Sequence, residues 1–152
     1  MHESLKNAID YIEMASRHLA ETKRFFSALL GWSFQDYGPD YASFDDGRMT
    51  GGFFASEKTA GVDTGAPLVV FYQPELEKML AEVKKLGGKI TREIFEFPGG
   101  RRFHFREPGG GEFAILVGQK VIVASAIAQR FHLAFLIWPR SRRWSKHQVS
   151  VP

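Results

Sequence analysis

Two side chains on strand-like stretches of this sequence are candidates to move a proton near neutral pH, Glu13 and His104. Glu13 lies in Tyr11-Ile12-Glu13-Met14-Ala15, whose alternation reads as a strand. Tyr11, Glu13 and Ala15 share one face, and Ile12 and Met14 take the other. A carboxylate on the wall of a cup is a candidate general base, or an acceptor that orients a ligand. The competing reading is a glutamate paired with a nearby arginine for structure alone. His104 lies in Arg102-Phe103-His104-Phe105-Arg106, with three polar side chains on one face and two rings opposite. It is the one histidine within a strand-like stretch, and imidazole titrates close to neutral pH. A strand histidine hydrogen-bonded for structure is the other reading.

Arg101 and Arg102 follow Pro98-Gly99-Gly100, and guanidinium forks suit planar anions such as carboxylate or phosphate. A solvated hairpin rim also accounts for them. Tyr11, Tyr41, Phe54 and Tyr72, with Phe53 and Phe71, are aromatic strand positions that line either a ligand cup or a core. Cysteine is absent, which removes disulfides, thiolate metal ligands and cysteine nucleophiles. The Gly-Gly pairs match no phosphate loop and are explained by turns.

The elements that must hold these residues occur twice in the same order. Tyr11–Ala15 is followed by a helical spacing over 18–30, with Ser16 as the expected N-cap and Gly31 as the stop. Strands are expected over 32–37, 41–45 and 51–55, divided by Gly38-Pro39-Asp40 and Asp45-Asp46-Gly47. Residues 57–67 are polar, contain Gly and Pro, and read as a linker. The run Leu68–Tyr72 then reads as a strand, 75–86 as a helix ended by Gly87-Gly88, and 89–97, 102–106 and 112–117 as three strands. Two βαβββ modules, 8–56 and 68–118, give an α+β fold, followed by an extension over 119–152.

These stretches resemble the glyoxalase/bleomycin resistance protein/dioxygenase superfamily, the vicinal oxygen chelate (VOC) proteins. The likeness runs over residues 8–117. It rests on Tyr11-Ile12-Glu13, on Phe25-Phe26 through Leu30-Gly31-Trp32, on Gly51-Gly52-Phe53-Phe54 and on Lys85-Leu86-Gly87-Gly88-Lys89-Ile90. Phe97-Pro98-Gly99-Gly100 through Phe105 and the turn Arg106-Glu107-Pro108-Gly109-Gly110-Gly111-Glu112 complete the set. The resemblance implies a U-shaped, partly open mixed β barrel with the helices outside, often completed by a homodimer. Its metal-ligand positions fall on Tyr11 and Ala114, and neither Gly51–Phe54 nor Pro67–Val70 supplies a ligand. No metal and no cofactor are therefore expected. It also implies a small organic molecule as partner. The resemblance admits a lyase- or isomerase-type enzyme with Glu13 and His104 as acid/base groups and Tyr11, Tyr41, Phe54, Tyr72 and Arg102 as ligand contacts. It equally admits a non-catalytic drug- or toxin-sequestering binder.

Charge is divided unevenly along the chain. Residues 1–118 hold fourteen basic and seventeen acidic groups, whereas residues 119–152 hold six basic groups and no acid. The body thus offers no basic surface for nucleic acid. The apolar run over 121–138 is interrupted by Gln129, Arg130 and His132, and one central Arg costs about 2.5–3.5 kcal/mol on insertion, so no membrane span is expected. The first residues carry no secretory pattern, and a cytoplasmic protein is expected. The segment after residue 118 reads as an appended extension.

Overall fold

Alternation along the strands and a 3.6-residue stripe along each helix demand that sheets and helices bury one face apiece. The computed structural model describes residues 6–118, and the expectations for 119–152 fall outside them. Its elements are β1 (Tyr11–Ser16), α1 (Leu19–Leu30), β2 (Ser33–Asp36), β3 (Tyr41–Asp45), β4 (Thr50–Ala55), β5 (Val69–Tyr72), α2 (Leu76–Lys85), β6 (Lys89–Phe97), β7 (Gly100–Arg106) and β8 (Glu112–Gly118). The sheets run β1-β4-β3-β2 and β5-β8-β7-β6, so the second repeats the first. In each, the opening strand is parallel to the last and the other pairs are antiparallel. The sheets are open, and they form no closed barrel among the described residues.

Helix α1 ends as its sequence requires. Gly31 adopts φ 75, and its N–H bonds back to Ser27 O at 3.1 Å. Its start differs from expectation. His18 is the boundary residue, and the Ser16 hydroxyl accepts from His18 N at 3.0 Å instead of capping the helix. Strand β7 begins two residues early because Gly100 pairs with both Phe97 and Gly118. The segment 57–67 contains a 3-10 turn at Val62–Thr64 and is stitched to the second module. Glu112 N donates to Ala60 O, Val62 N donates to the Glu112 carboxylate, and Asp63 pairs with Arg106 at 2.7 Å.

A single ring cluster serves both sheets. Phe26 of α1 is fully buried and stacks on Trp32 at 4.7 Å and on Phe53 at 5.6 Å, both in the first module. The same ring meets Phe71 and Phe113 of the second module edge-on, at 6.1 and 5.0 Å. Each fully buried Phe contributes roughly 1.5–3 kcal/mol. Since both sheets turn Phe-bearing faces to this cluster, their opposite faces look outward from it.

A buried carboxylate fastens the modules together. Glu107, 2% exposed, accepts hydrogen bonds from Thr22 Oγ1 at 2.8 Å, Gly109 N at 2.6 Å and Gly111 N at 3.0 Å. Thr22 in turn bonds Ser16 at 2.7 Å. Burial pushes the Glu107 pKa up, while those donors pull against it. Any side chain on Gly109 would collide with Ser16 and Thr22, so the turn can approach α1 only as glycine. Replacing Glu107 with Gln puts an NH2 group against N–H donors. Urea denaturation of E107Q should show a loss of about 1–3 kcal/mol.

Candidate functional site

Each of the two outward faces carries its own chemistry. On the first sheet, Tyr11 and Glu13 of β1, Gly52 and Phe54 of β4, and Tyr41 and Ser43 of β3 share the open side, because Glu13 pairs with Gly52 and Phe54 with Tyr41. The Tyr11 and Tyr41 hydroxyls are 2.7 Å apart, and Tyr41 Oη donates to Glu13 Oε1 at 3.0 Å. Gly52 makes this array possible, since a Cβ there would sit on the Tyr41 hydroxyl. The contact with Tyr11, then partial burial, then the Glu13 carboxylate raise the Tyr41 pKa above the ordinary phenol value. The result is a hydroxyl pair anchored on a carboxylate, suited to binding an oxygen of a ligand. Glu13 itself is exposed, not sunk in a cup, and makes no ion pair among the described residues. Its partner among the described residues is Tyr41, where the competing reading placed an arginine. Phe54, 39% exposed, lies beside the array.

On the second sheet the open side carries Arg102 and His104 of β7, Glu112 and Ala114 of β8, and Arg92 and Phe95 of β6. Arg92 and Phe95 are three residues apart and would take opposite faces of a regular strand. A register irregularity between them turns both outward, so Arg92 pairs with His104 and Phe95 with Arg102. The Arg92 guanidinium lies 3.4 Å from the Phe95 ring centroid; that of Arg102 lies 5.1 Å from Phe95 and 5.0 Å from Phe97. His104 is 7% exposed, with its ring 5.5 Å from Phe95. Its Nδ1 stands 3.9 Å from Glu112 Oε1, and its Nε2 has no hydrogen-bond partner among the described residues. Burial, then Arg102, lower the His104 pKa; Glu112 opposes them. The imidazole is therefore neutral at pH 7.

Alternation separates the two neighbouring arginines. Arg101 points to the helix side and pairs with Glu77 of α2 at 2.6 Å, which holds the Glu77 carboxyl below its ordinary range. Arg101 is thus not a ligand clamp, and Arg102 alone remains on the open face. Regular alternation along β6 puts Phe95 with Lys89 and Phe97, and only the irregularities on either side of Arg92 bring Arg92 to the same face.

The structure joins Tyr11, Glu13 and Tyr41 in one group and Arg102 and His104 in another. Tyr72, 65% exposed, stands at the edge of the second sheet on β5. Among the described residues no hydrogen bond, ion pair or ring contact links the two groups. A cavity of about 470 Å³ between β1 and β5 is lined by Ile12, Met14, Trp32, Phe44 and Phe71, and also by Asp46 and Arg48. None of the expected site residues reaches it.

The outward positions of β1, β4, β5 and β8 do not fit a divalent metal. Their carboxylates are Glu13 on the first sheet and Glu112 on the second, with no third donor beside either among the described residues, and Phe54, Val70, Tyr72 and Ala114 offer no carboxylate or imidazole. Among the described residues no three His, Cys, Asp or Glu side chains gather.

Comparisons with known proteins agree with this architecture. The family described as the Glyoxalase/Bleomycin resistance protein/Dioxygenase superfamily matches residues 8–115. No match was found among curated proteins. A solved glyoxalase/bleomycin resistance protein/dioxygenase family enzyme from Burkholderia phytofirmans PsJN is 16% identical, with TM-score 0.62, covering 73% of this chain and 100% of that one. A point mutant of the fosfomycin resistance protein FosX from Listeria monocytogenes, complexed with Mn(II) and 1S,2S-dihydroxypropylphosphonic acid, is 13% identical. Its TM-score is 0.62, over 75% of this chain and 92% of that one. Lactoylglutathione lyase from Agrobacterium tumefaciens is 16% identical, with TM-score 0.58, over 74% and 94%. At these identities the likeness is one of fold.

Two measurements check the geometry. In G52A the hydroxyl array should break, and phenolate absorbance should show Tyr41 titrating closer to 10.0 than in the parent protein. For His104 the unfolded imidazole, near 6.5, binds protons that the folded one does not. Stability should therefore fall as pH drops below that value, and H104Q should flatten this part of the stability–pH curve.

Proposed function

This chain belongs to the Glyoxalase/Bleomycin resistance protein/Dioxygenase superfamily, and on that premise we propose that it binds a small organic molecule between the open sheet faces of two copies. It acts there by proton transfer, without a resident divalent metal. One observation carries the reading: a carboxylate-anchored hydroxyl pair and a neutral imidazole whose buried Nε2 lacks a partner lie on separate outward faces of one chain. A homodimer sets the first face of one copy against the second face of the other. The exposed rings of Tyr11, Phe54 and Tyr72 favour such closure, since large aromatic side chains gain by leaving water.

In this arrangement Glu13 takes a proton from the ligand and His104 exchanges one on the other side. Tyr11 and Tyr41 hold a ligand oxygen, Phe54 and Tyr72 flank its apolar part, and Arg102 contacts its polar end. Lactoylglutathione lyase among the fold neighbours supports lyase- or isomerase-type chemistry. No helix among the described residues is long and apolar enough to cross a membrane. A cytoplasmic protein that does not bind nucleic acid belongs to the same reading. The separation of Glu13 from His104 within one chain favours a second reading, a sequestering binder of the bleomycin-resistance type, which needs the aromatic faces and no titratable pair.

Size-exclusion chromatography with light scattering, followed by a thermal-shift screen of small organic molecules, tests the assembly; a dimer stabilised by ligand is expected. With a turned-over ligand in hand, E13A and H104A should lower kcat about 100-fold or more while affinity changes little. Loss of affinity without turnover in the parent protein selects the binder. A monomer that binds at full affinity, or a stoichiometric metal in purified protein, overturns the proposal.

A further inference from the structure

We propose that Arg92, Arg102 and His104 form a seat for an oxyanion, so that the organic ligand carries a carboxylate, phosphonate or phosphate head. This rests on the reading that the open sheet faces take the ligand, and it adds the ligand's charge.

Three observations converge on the same patch. First, the cations there lack counter-charges. Arg101 is matched by Glu77 and Arg106 by Asp63, whereas Arg92 and Arg102 pair with no acid among the described residues. The one acid on the face, Glu112, stands 3.7 Å from the Arg106 guanidinium and is held by Thr91 Oγ1 and Val62 N, each at 2.8 Å, and it forms no ion pair with Arg92 or Arg102. Two like charges held beside one another repel, and an arriving anion relieves that repulsion.

Second, the guanidinium groups are held in place. Arg92 and Arg102 both lie over the Phe95 ring, and Arg102 also lies near Phe97. Stacking on rings leaves the N–H edges of a guanidinium free to engage planar or tetrahedral oxyanions. Third, two buried nitrogens on this patch are unsatisfied among the described residues, Arg102 Nε and His104 Nε2. His104 is more than nine-tenths buried, so its orphan nitrogen has no water-facing alternative. An oxyanion accepts from both. A cation or neutral group would leave the two arginines uncompensated. The first sheet, with hydroxyls and a carboxylate, has no such excess of positive charge, so the ligand's anionic end belongs at the second sheet.

Isothermal titration calorimetry on the full chain tests this with four probes: phenylphosphonate, benzoate, inorganic phosphate and neutral benzyl alcohol. Phenylphosphonate or benzoate should bind about tenfold or more tighter than benzyl alcohol, the effect of one charge-assisted contact. R92Q and R102Q should each weaken that binding by about the same factor, and R101Q should leave it unchanged. Phosphate binding alone, with the same arginine dependence, places the specificity in the head group; tighter binding of the aromatic acids adds the neighbouring rings. Arg92 is exposed, so R92Q keeps the test decisive if R102Q fails to fold. Equal binding of benzyl alcohol and the acids, no oxyanion binding at millimolar concentration, or full affinity in R92Q overturns the seat. Neutral ligands bound by a dimer would then leave the broader reading standing. Arginine-dependent anion binding by a monomer would sink the dimer and keep the seat.

Discussion

Everything in this molecule depends on one packing constraint: two four-stranded sheets share the ring of Phe26. A half-buried sheet needs one covered face. Phe26 solves this by stacking on Trp32 and Phe53 and presenting its edges to Phe71 and Phe113. The candidate proton-transfer groups Glu13 and His104 lie on the outer faces, and a cavity between β1 and β5 is lined by Trp32, Phe44 and Phe71 together with Asp46 and Arg48.

The outer faces differ in kind because of what lies beneath them. Gly52 leaves room for two phenols to converge on Glu13, so the first face is a hydrogen-bonding surface of low net charge. On the second, the irregularity in β6 turns Arg92 and Phe95 the same way, and the rings hold the guanidinium groups without neutralising them. Glu112 is held by Thr91 and by the segment before β5 and stands near Arg106, so it pairs with neither Arg92 nor Arg102. One face offers neutral hydroxyls, the other uncompensated cations, and a ligand bound across them would be polar at both ends.

Much of this was legible in the residues. Period-two alternation located the strands within a residue or two, and Gly31 and Gly87 marked where the helices stop, because only glycine readily takes their left-handed backbone. Parity along β7 also separates Arg101 from Arg102, although adjacency in sequence suggests a pair. Three features were not legible. Alternation assigns each side chain to a face of its own sheet but says nothing of how two sheets face each other, so Glu13 and His104 could not be placed apart. A strand irregularity has no sequence signature here, which hid Arg92. Glu107 reads as an ordinary turn acid, because Thr22 lies 85 residues away.

That last separation has a consequence for how the protein is made. A chain leaving the ribosome completes β1 to β4 well before Glu107 and Phe113 exist. During that interval Phe26 has its first-module neighbours and none of its others, and Thr22 has no carboxylate to bond. The contacts that finish the core are among the longest-range in the described chain, and long-range closure is slow. The half-made protein therefore presents a sticky aromatic surface until its final strand is synthesised, and translation speed across the second module sets how long nascent chains remain open to misassembly or chaperone capture.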